Sequence, residues 1–201
     1  MAFEAELDRQ GHPTTLLAAF AKNPGATGAV APTCQRLVDF LTEGLDRLPD
    51  GTVVELGAGS GVVTRAIESR VAADTTVVAV ELNRDLARRL VARFPDYHIV
   101  NGSAEHLPDL LLDLRLPKAD VILSELPWTS FDPTTQAKVV SAVSRSLCQG
   151  GRFATTAYWP AARFSAGRRF RRLLKAEFAE VKTSPIVWTN IPPGFVYQCR
   201  K

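Results

Sequence analysis

Residues 53 to 61 run Val53-Val54-Glu55-Leu56-Gly57-Ala58-Gly59-Ser60-Gly61, an apolar strand that ends in three alternating glycines. A second apolar run, Val77-Val78-Ala79-Val80, ends on Glu81. Glycine accepts positive φ and has no Cβ, so such a turn bends sharply and lets a ligand lie against the backbone. A carboxylate at the end of the next strand can accept both hydroxyls of a ribose. A doubly wound sheet holds an adenosine-containing cofactor in this way.

The glycine spacing narrows the cofactor. The dinucleotide fingerprint is G-x-G-x-x-G, with a pyrophosphate at the helix N-terminus. Here the third glycine, Gly61, comes one position earlier, and Glu55 stands two residues before the first. No Lys-Ser or Lys-Thr follows the glycines, which excludes the phosphate-binding loop of NTPases. E-x-G-x-G-x-G instead resembles the pattern of S-adenosylmethionine (SAM) methyltransferases, whose cofactor has no phosphate to cradle.

Bulk properties fit that reading. A chain of 201 residues is long enough to bury roughly 70% of its unfolded surface. No apolar run approaches the roughly 20 residues that span a bilayer. The start, Met1-Ala2-Phe3-Glu4-Ala5-Glu6-Leu7-Asp8, lacks the layout of a signal peptide. Cys34, Cys148 and Cys199 are odd in number and widely spaced, which suits free thiols in a cytoplasmic setting. They give no metal-ligand spacing, and His12, His98 and His106 are scattered, so no metal is expected. The net charge of +3 is uneven: residues 163–182 carry seven bases against Glu177 and Glu180.

Hydrophobic periodicity lays out alternating strands and helices. A short helix is expected over Leu16–Lys22, then a glycine-rich loop to Thr33, which would cap a helix burying Leu37, Phe40, Leu41, Leu45 and Leu48. Strands are predicted at 52–56, 76–81, 97–101, 119–124 and 152–158, with helices at 62–71, 83–93, 134–147 and 168–181. Gly150-Gly151 reads as a helix end. Strands at 186–188 and 195–199 would form a hairpin around Pro192-Pro193-Gly194. Alternation of this kind implies a mainly parallel sheet.

The fold class is α/β. It resembles the Rossmann-like seven-stranded sheet of class I SAM-dependent methyltransferases, mostly parallel with an antiparallel C-terminal hairpin. Two end segments narrow the likeness. Phe20-Ala21-Lys22-Asn23-Pro24 with Thr27-Gly28-Ala29-Val30-Ala31-Pro32-Thr33 is similar to the opening of bacterial phospholipid N-methyltransferases, relatives of the rRNA adenine dimethyltransferases. So is Val187-Trp188-Thr189-Asn190-Ile191-Pro192-Pro193-Gly194-Phe195-Val196-Tyr197. The resemblance implies one methyltransferase domain over 1–201, with N-terminal helices and a lid-like loop in 1–50 and a SAM-binding core in 51–201.

The resemblance also assigns residues. Glu55, Gly57, Ala58, Gly59 and Gly61 form the cofactor loop, and Glu81 with Leu82 follows strand 2 as the ribose site. Gly102-Ser103-Ala104 stands where the family has Gly-Asp-Ala at the adenine, so Ser103 is shorter and uncharged there. Ser124 ends strand 4, followed by Glu125-Leu126-Pro127-Trp128, where adenine N6-methyltransferases carry Asn-Pro-Pro-Tyr. Glu125 departs from that pattern. It can orient an amine or take its proton, and Trp128 can offer a π face to a cation; the alternatives are a solvated Glu and a packing Trp. Thr27 and Gly28 belong to the lid, and Tyr158 to the substrate pocket.

The implied activity is methyl transfer from SAM to nitrogen. The acceptor stays open between a lipid head group such as phosphatidylethanolamine and a soluble small molecule of specialised metabolism. An RNA adenine is less favoured, because the rRNA dimethylases carry a helical C-terminal domain and this chain ends with its sheet; nucleic acid is not the expected partner. Glu4, Glu6 and Asp8 against Arg9 make the N-terminus repel an anionic surface. The basic helix 168–182 suits anionic lipid or RNA, the alternative being a helix on a sheet face with solvated arginines, and peripheral contact at the inner membrane face stays open beside a cytoplasmic setting.

Overall fold

The computed structural model describes residues 33–48 and 50–201. Seven strands form one sheet: β1 (Thr52–Leu56), β2 (Thr76–Glu81), β3 (His98–Asn101), β4 (Ala119–Ser124), β5 (Leu147–Tyr158), β6 (Glu180–Thr183) and β7 (Gly194–Arg200). Their order is β3-β2-β1-β4-β5-β7-β6. The first five are parallel, and β7 lies antiparallel to both β5 and β6.

Helices cover both faces, as the continuous apolar strands require, since parallel strands are buried on both sides. They are α1 (Gln35–Leu41), α2 (Val62–Glu68), α3 (Arg84–Arg93), α4 (Leu107–Asp113), α5 (Pro133–Ser146), α6 (Trp159–Ala162) and α7 (Ser165–Glu177). Side chains alternate along each strand. Val54, Leu56, Val78, Val80, Ile122 and Phe153 join one core with residues of α5 and α7. Val53, Val77, Val121, Leu123 and Ala154 join another with α1 and α2. Each fully buried Leu, Ile or Phe contributes about 1.5–3 kcal/mol. Helix starts are set locally: Asn83 Oδ1 accepts from the Asp85 and Leu86 amides, and Asp132 Oδ1 from the Thr134 and Thr135 amides.

Four expectations need correction. Thr33 does not cap α1; Cys34 takes that position without a side-chain bond, and the Thr33 hydroxyl turns to Glu125. The helix expected over 168–181 runs from Ser165 to Glu177, and the Val181 segment is edge strand β6. Phe178, at the helix C-cap, is buried, and Val181 packs half-buried against the same core from the strand, so both continue the apolar spacing of the helix by coincidence. Residues 186–188 form no strand, only a bridge between Val187 and Gly194; Pro185, Pro192 and Pro193 have no amide to donate to a ladder. Gly150-Gly151 does not end α5, which stops at Ser146; both glycines lie inside β5, where its pairing with β4 shifts register.

The strand order reverses between β1 and β4, and ligands of such sheets sit at the carboxyl ends of the strands beside that reversal. Glu125 N–H bonds Leu56 O across it at 3.2 Å. In-register pairs Leu56↔Val80, Leu56↔Ser124 and Ser124↔Thr155 align the four strand ends on one edge.

Candidate active site

The glycine loop leaves β1 at this edge. Gly57, Gly59 and Gly61 have φ of 79°, 54° and 83°, values an L side chain rarely adopts. A Cβ on Gly57 would sit 3.0 Å from Leu126 Cδ2, and one on Gly61 would sit 2.9 Å from Leu90 Cδ2 and 3.0 Å from Phe94 Cε2. The third glycine therefore seats the start of α2 against α3. Ala58 is buried beside Ala79, Leu90 and Phe94, so its side chain serves packing and leaves only its backbone to the loop surface.

Glu81 closes the loop from β2. Its Oε2 accepts the Gly59 amide at 2.8 Å and its Oε1 the Asn83 amide at 2.7 Å. Each oxygen keeps a lone pair for a further donor. Asn101 Nδ2 donates to the carbonyls of Glu81 and Leu82, both at 2.9 Å, fixing the turn after β2. Ser103 Oγ accepts the Glu105 amide, while Ala104 is buried and Leu82 packs against the same core. Ser124 is fully buried: its Oγ accepts the Leu126 amide, and its carbonyl takes the hydroxyls of Thr155 and Thr156.

Three carboxylates converge here. Glu55 is 1% exposed; its Oε2 accepts from Thr64 Oγ1 at 2.7 Å, and its Oε1 has no hydrogen-bond partner among the described residues. Burial, then the charges of Glu125 and Glu81, push its pKa to about 8 against the pull of Thr64. Half-buried Glu125 accepts from Thr33 Oγ1 at 2.7 Å and Thr156 Oγ1 at 3.2 Å, both at Oε1. Burial raises its pKa and those two bonds hold it down. Tyr158 completes the group: burial and the neighbouring Glu125 charge raise its pKa, and its hydroxyl bonds with Thr33.

Trp128 is a correction. The ring is 3% exposed, stacks on Phe170 at 4.3 Å and meets the edges of Phe131 and Phe153. Its Nε1–H donates to Thr155 Oγ1 at 2.7 Å. The apolar wall of α7 claims the π face that a cation would need, so the ring belongs to the core. Thr27 and Gly28 lie outside the described residues. Among the described residues no three His, Cys, Asp or Glu gather as a metal site.

Sequence reasoning gave no role to Thr156 or Asn190. Asn190 is 4% exposed and accepts the Cys34 amide at 3.0 Å while donating to Pro192 O at 2.6 Å. It anchors the chain entering α1 beside the loop before β7. The end segment containing it was visible in the sequence; its partner was not.

Residues 53–151 match the family described as "Methyltransferase domain". Over 189 residues the chain is 32% identical to an ornithine lipid N-methyltransferase of Singulisphaera acidiphila, covering 92% of this chain and 93% of that protein. Among solved structures it matches an O-methyltransferase from Bacillus cereus in complex with SAH (S-adenosylhomocysteine) at a TM-score of 0.68 and 14% identity, covering 94% and 92% of the two chains. It also matches Aeropyrum pernix fibrillarin in complex with S-adenosyl-L-methionine, at a TM-score of 0.59 and 20% identity, covering 81% and 74%. At these identities the structural likeness concerns the fold alone.

The residues at the edge fit SAM. That ligand carries a sulfonium and an ammonium; Glu81 and Glu125 offer charge of the opposite sign, while Glu55, whose burial keeps it protonated near neutral pH, offers a polar partner. The orphaned Glu55 Oε1 is a buried polar atom in want of a partner, and the free lone pairs of Glu81 suit a ribose diol. The cofactor is SAM, and the chain belongs to the class I SAM-dependent methyltransferases.

Proposed function

We propose that the methyl acceptor is an amine on a lipid head group and that Glu125 takes its proton. The observation that carries this reading is the Glu125 carboxyl at the β4 end, held through one oxygen by Thr33 and Thr156 beside Tyr158. Its other oxygen has no protein hydrogen bond among the described residues and remains to accept from an amine. The 32% identity to an ornithine lipid N-methyltransferase supports the same acceptor class.

In this reading the glycine-loop backbone and Glu81 hold the cofactor, which supplies an activated methyl group. An alkylamine is mostly protonated at neutral pH and must lose a proton before its lone pair can attack. The raised pKa of Glu125 brings the carboxylate closer to the working pH, where a base is most effective. Tyr158 and the two threonines fix the carboxyl oxygen that does not face the amine. Positioning then supplies much of the acceleration.

The test is incubation of the protein with SAM and vesicles containing phosphatidylethanolamine or ornithine lipid, read by mass spectrometry. Methylated head groups are expected, with Glu125→Gln lowering the rate about 100-fold and leaving SAH affinity unchanged. Methylation of soluble amines but of neither lipid would sink the lipid acceptor.

A further inference from the structure

Three of the six exposed large hydrophobic residues among the described residues lie close to one rim: Phe164 at 67%, Trp188 at 64% and Ile191 at 69% exposure. Trp159 connects them. Its ring lies 5.5 Å from that of Trp188, its amide donates to Pro193 O at 2.8 Å two residues past Ile191, and the Arg163 guanidinium sits 5.0 Å from its ring beside Phe164. Isolated exposed side chains need no explanation; a group gathered at one rim does.

The rim has a basic border. Residues 159–176 contain six cations and no acid, and residues 184–193 contain no charge. Arg169 turns inward to Gln136 and the Phe131 carbonyl. Arg163, Arg168, Arg171, Arg172 and Lys175 are exposed and form no ion pair among the described residues. The rim also adjoins the reaction edge, because Tyr158 pairs with Gly194 and its phenol lies by Glu125.

We infer that Phe164, Trp188 and Ile191, with the arginines of α7, form the surface by which the enzyme docks on a bilayer of anionic lipid. Trp prefers the interface between head groups and acyl chains, and arginines beside it meet lipid phosphates. The loop 184–193 carries no cation for a phosphate backbone, and the exposed aliphatic Ile191 suits an acyl chain but offers no ring for a base to stack on, which makes RNA the weaker occupant. Docking through this rim brings the carboxyl edge of the sheet to the membrane, so an amine head group reaches Glu125 without its lipid leaving the leaflet. This surface rests on the lipid acceptor proposed above.

The test uses the full chain with vesicles of phosphatidylglycerol and phosphatidylcholine, against phosphatidylcholine alone. Sedimentation with the anionic vesicles is expected, together with a blue shift of Trp fluorescence. Trp188→Ala combined with Phe164→Ala should weaken vesicle binding about tenfold while SAH affinity and thermal unfolding stay at wild-type values. Arg171→Ser with Arg172→Ser should weaken it about fivefold per arginine, and less at high salt. Equal binding by wild type and both variants, or absence of vesicle binding, would overturn the surface. So would a short single-stranded RNA that binds the wild type and displaces it from vesicles. Vesicle binding without methylation of any amine lipid would support the surface and overturn the acceptor.

Discussion

Thr33 Oγ1 donates a 2.7 Å hydrogen bond to Glu125 Oε1, joining points 92 residues apart in the chain. The next residue, Cys34, gives its amide to Asn190 Oδ1 across 156 residues. The entry to α1 is therefore stitched to the end of β4 and to the loop before β7, two parts of the reaction edge. A residue whose local sequence reads as a helix cap is spent instead on orienting a carboxylate.

Thr33→Val removes one of the two bonds that favour the charged form of Glu125. Burial already raises that pKa, so losing the donor raises it further and leaves less carboxylate at neutral pH. Methyl transfer should fall about 3–10-fold at pH 7 and recover as pH rises, shifting the rising limb of the rate profile to alkaline values. A pH–rate series on both proteins reads this. An unshifted limb would separate Thr33 from the chemistry.

Gly61→Ala places a Cβ at a φ of 83° within 3.0 Å of Leu90 and Phe94. The conformation and the overlap together should cost about 1–3 kcal/mol, visible as a lower urea midpoint. Calorimetric SAH affinity should drop as well, because relieving the overlap moves the glycine loop. A variant matching the wild type in both would show that this contact relaxes without cost.

Trp128→Leu separates packing from chemistry. Removing most of a buried indole stacked on Phe170 should cost about 2–4 kcal/mol of stability. The Thr155 hydroxyl keeps its bond to the Ser124 carbonyl, so β4 and β5 remain joined. Activity per folded molecule, with the folded fraction taken from denaturant titration, should stay within about threefold of wild type. A loss of 100-fold at full folding would return the ring to the reaction.

The parts of this architecture legible in the sequence are those set by neighbouring residues. The strands of β1, β2 and β4 announce themselves as apolar runs, and the glycines need no partner to declare a sharp turn. What the sequence withholds depends on register and distance. Thr156 meets Glu125 only because β5 pairs with β4 so that Ser124 faces Thr155, and nothing local to Thr156 encodes that register. Trp128 follows the motif position of a stacking residue, yet Phe170 on α7 decides its burial. Edge strand β6 is short, and three of its four residues are exposed and polar, which blunts an edge and hides it from a search for apolar runs.

Glu55 gives the protein a pH dependence of stability that a Gln would lack. Its carboxyl titrates near 4.5 when unfolded and at about 8 when folded, burial being the main cause. Between those values the unfolded chain has released the proton and the folded one retains it, so stability falls as pH rises and levels off above the folded value. The slope attributable to this group is at most about 1.4 kcal/mol per pH unit. Glu55→Gln keeps the Thr64 hydroxyl bonded to a carbonyl oxygen and removes the titration. Urea unfolding of both proteins without cofactor should show the variant gaining on the wild type by a few kcal/mol between pH 5 and pH 8. Parallel stability profiles over that window would mean that Glu55 is already ionised in the folded protein.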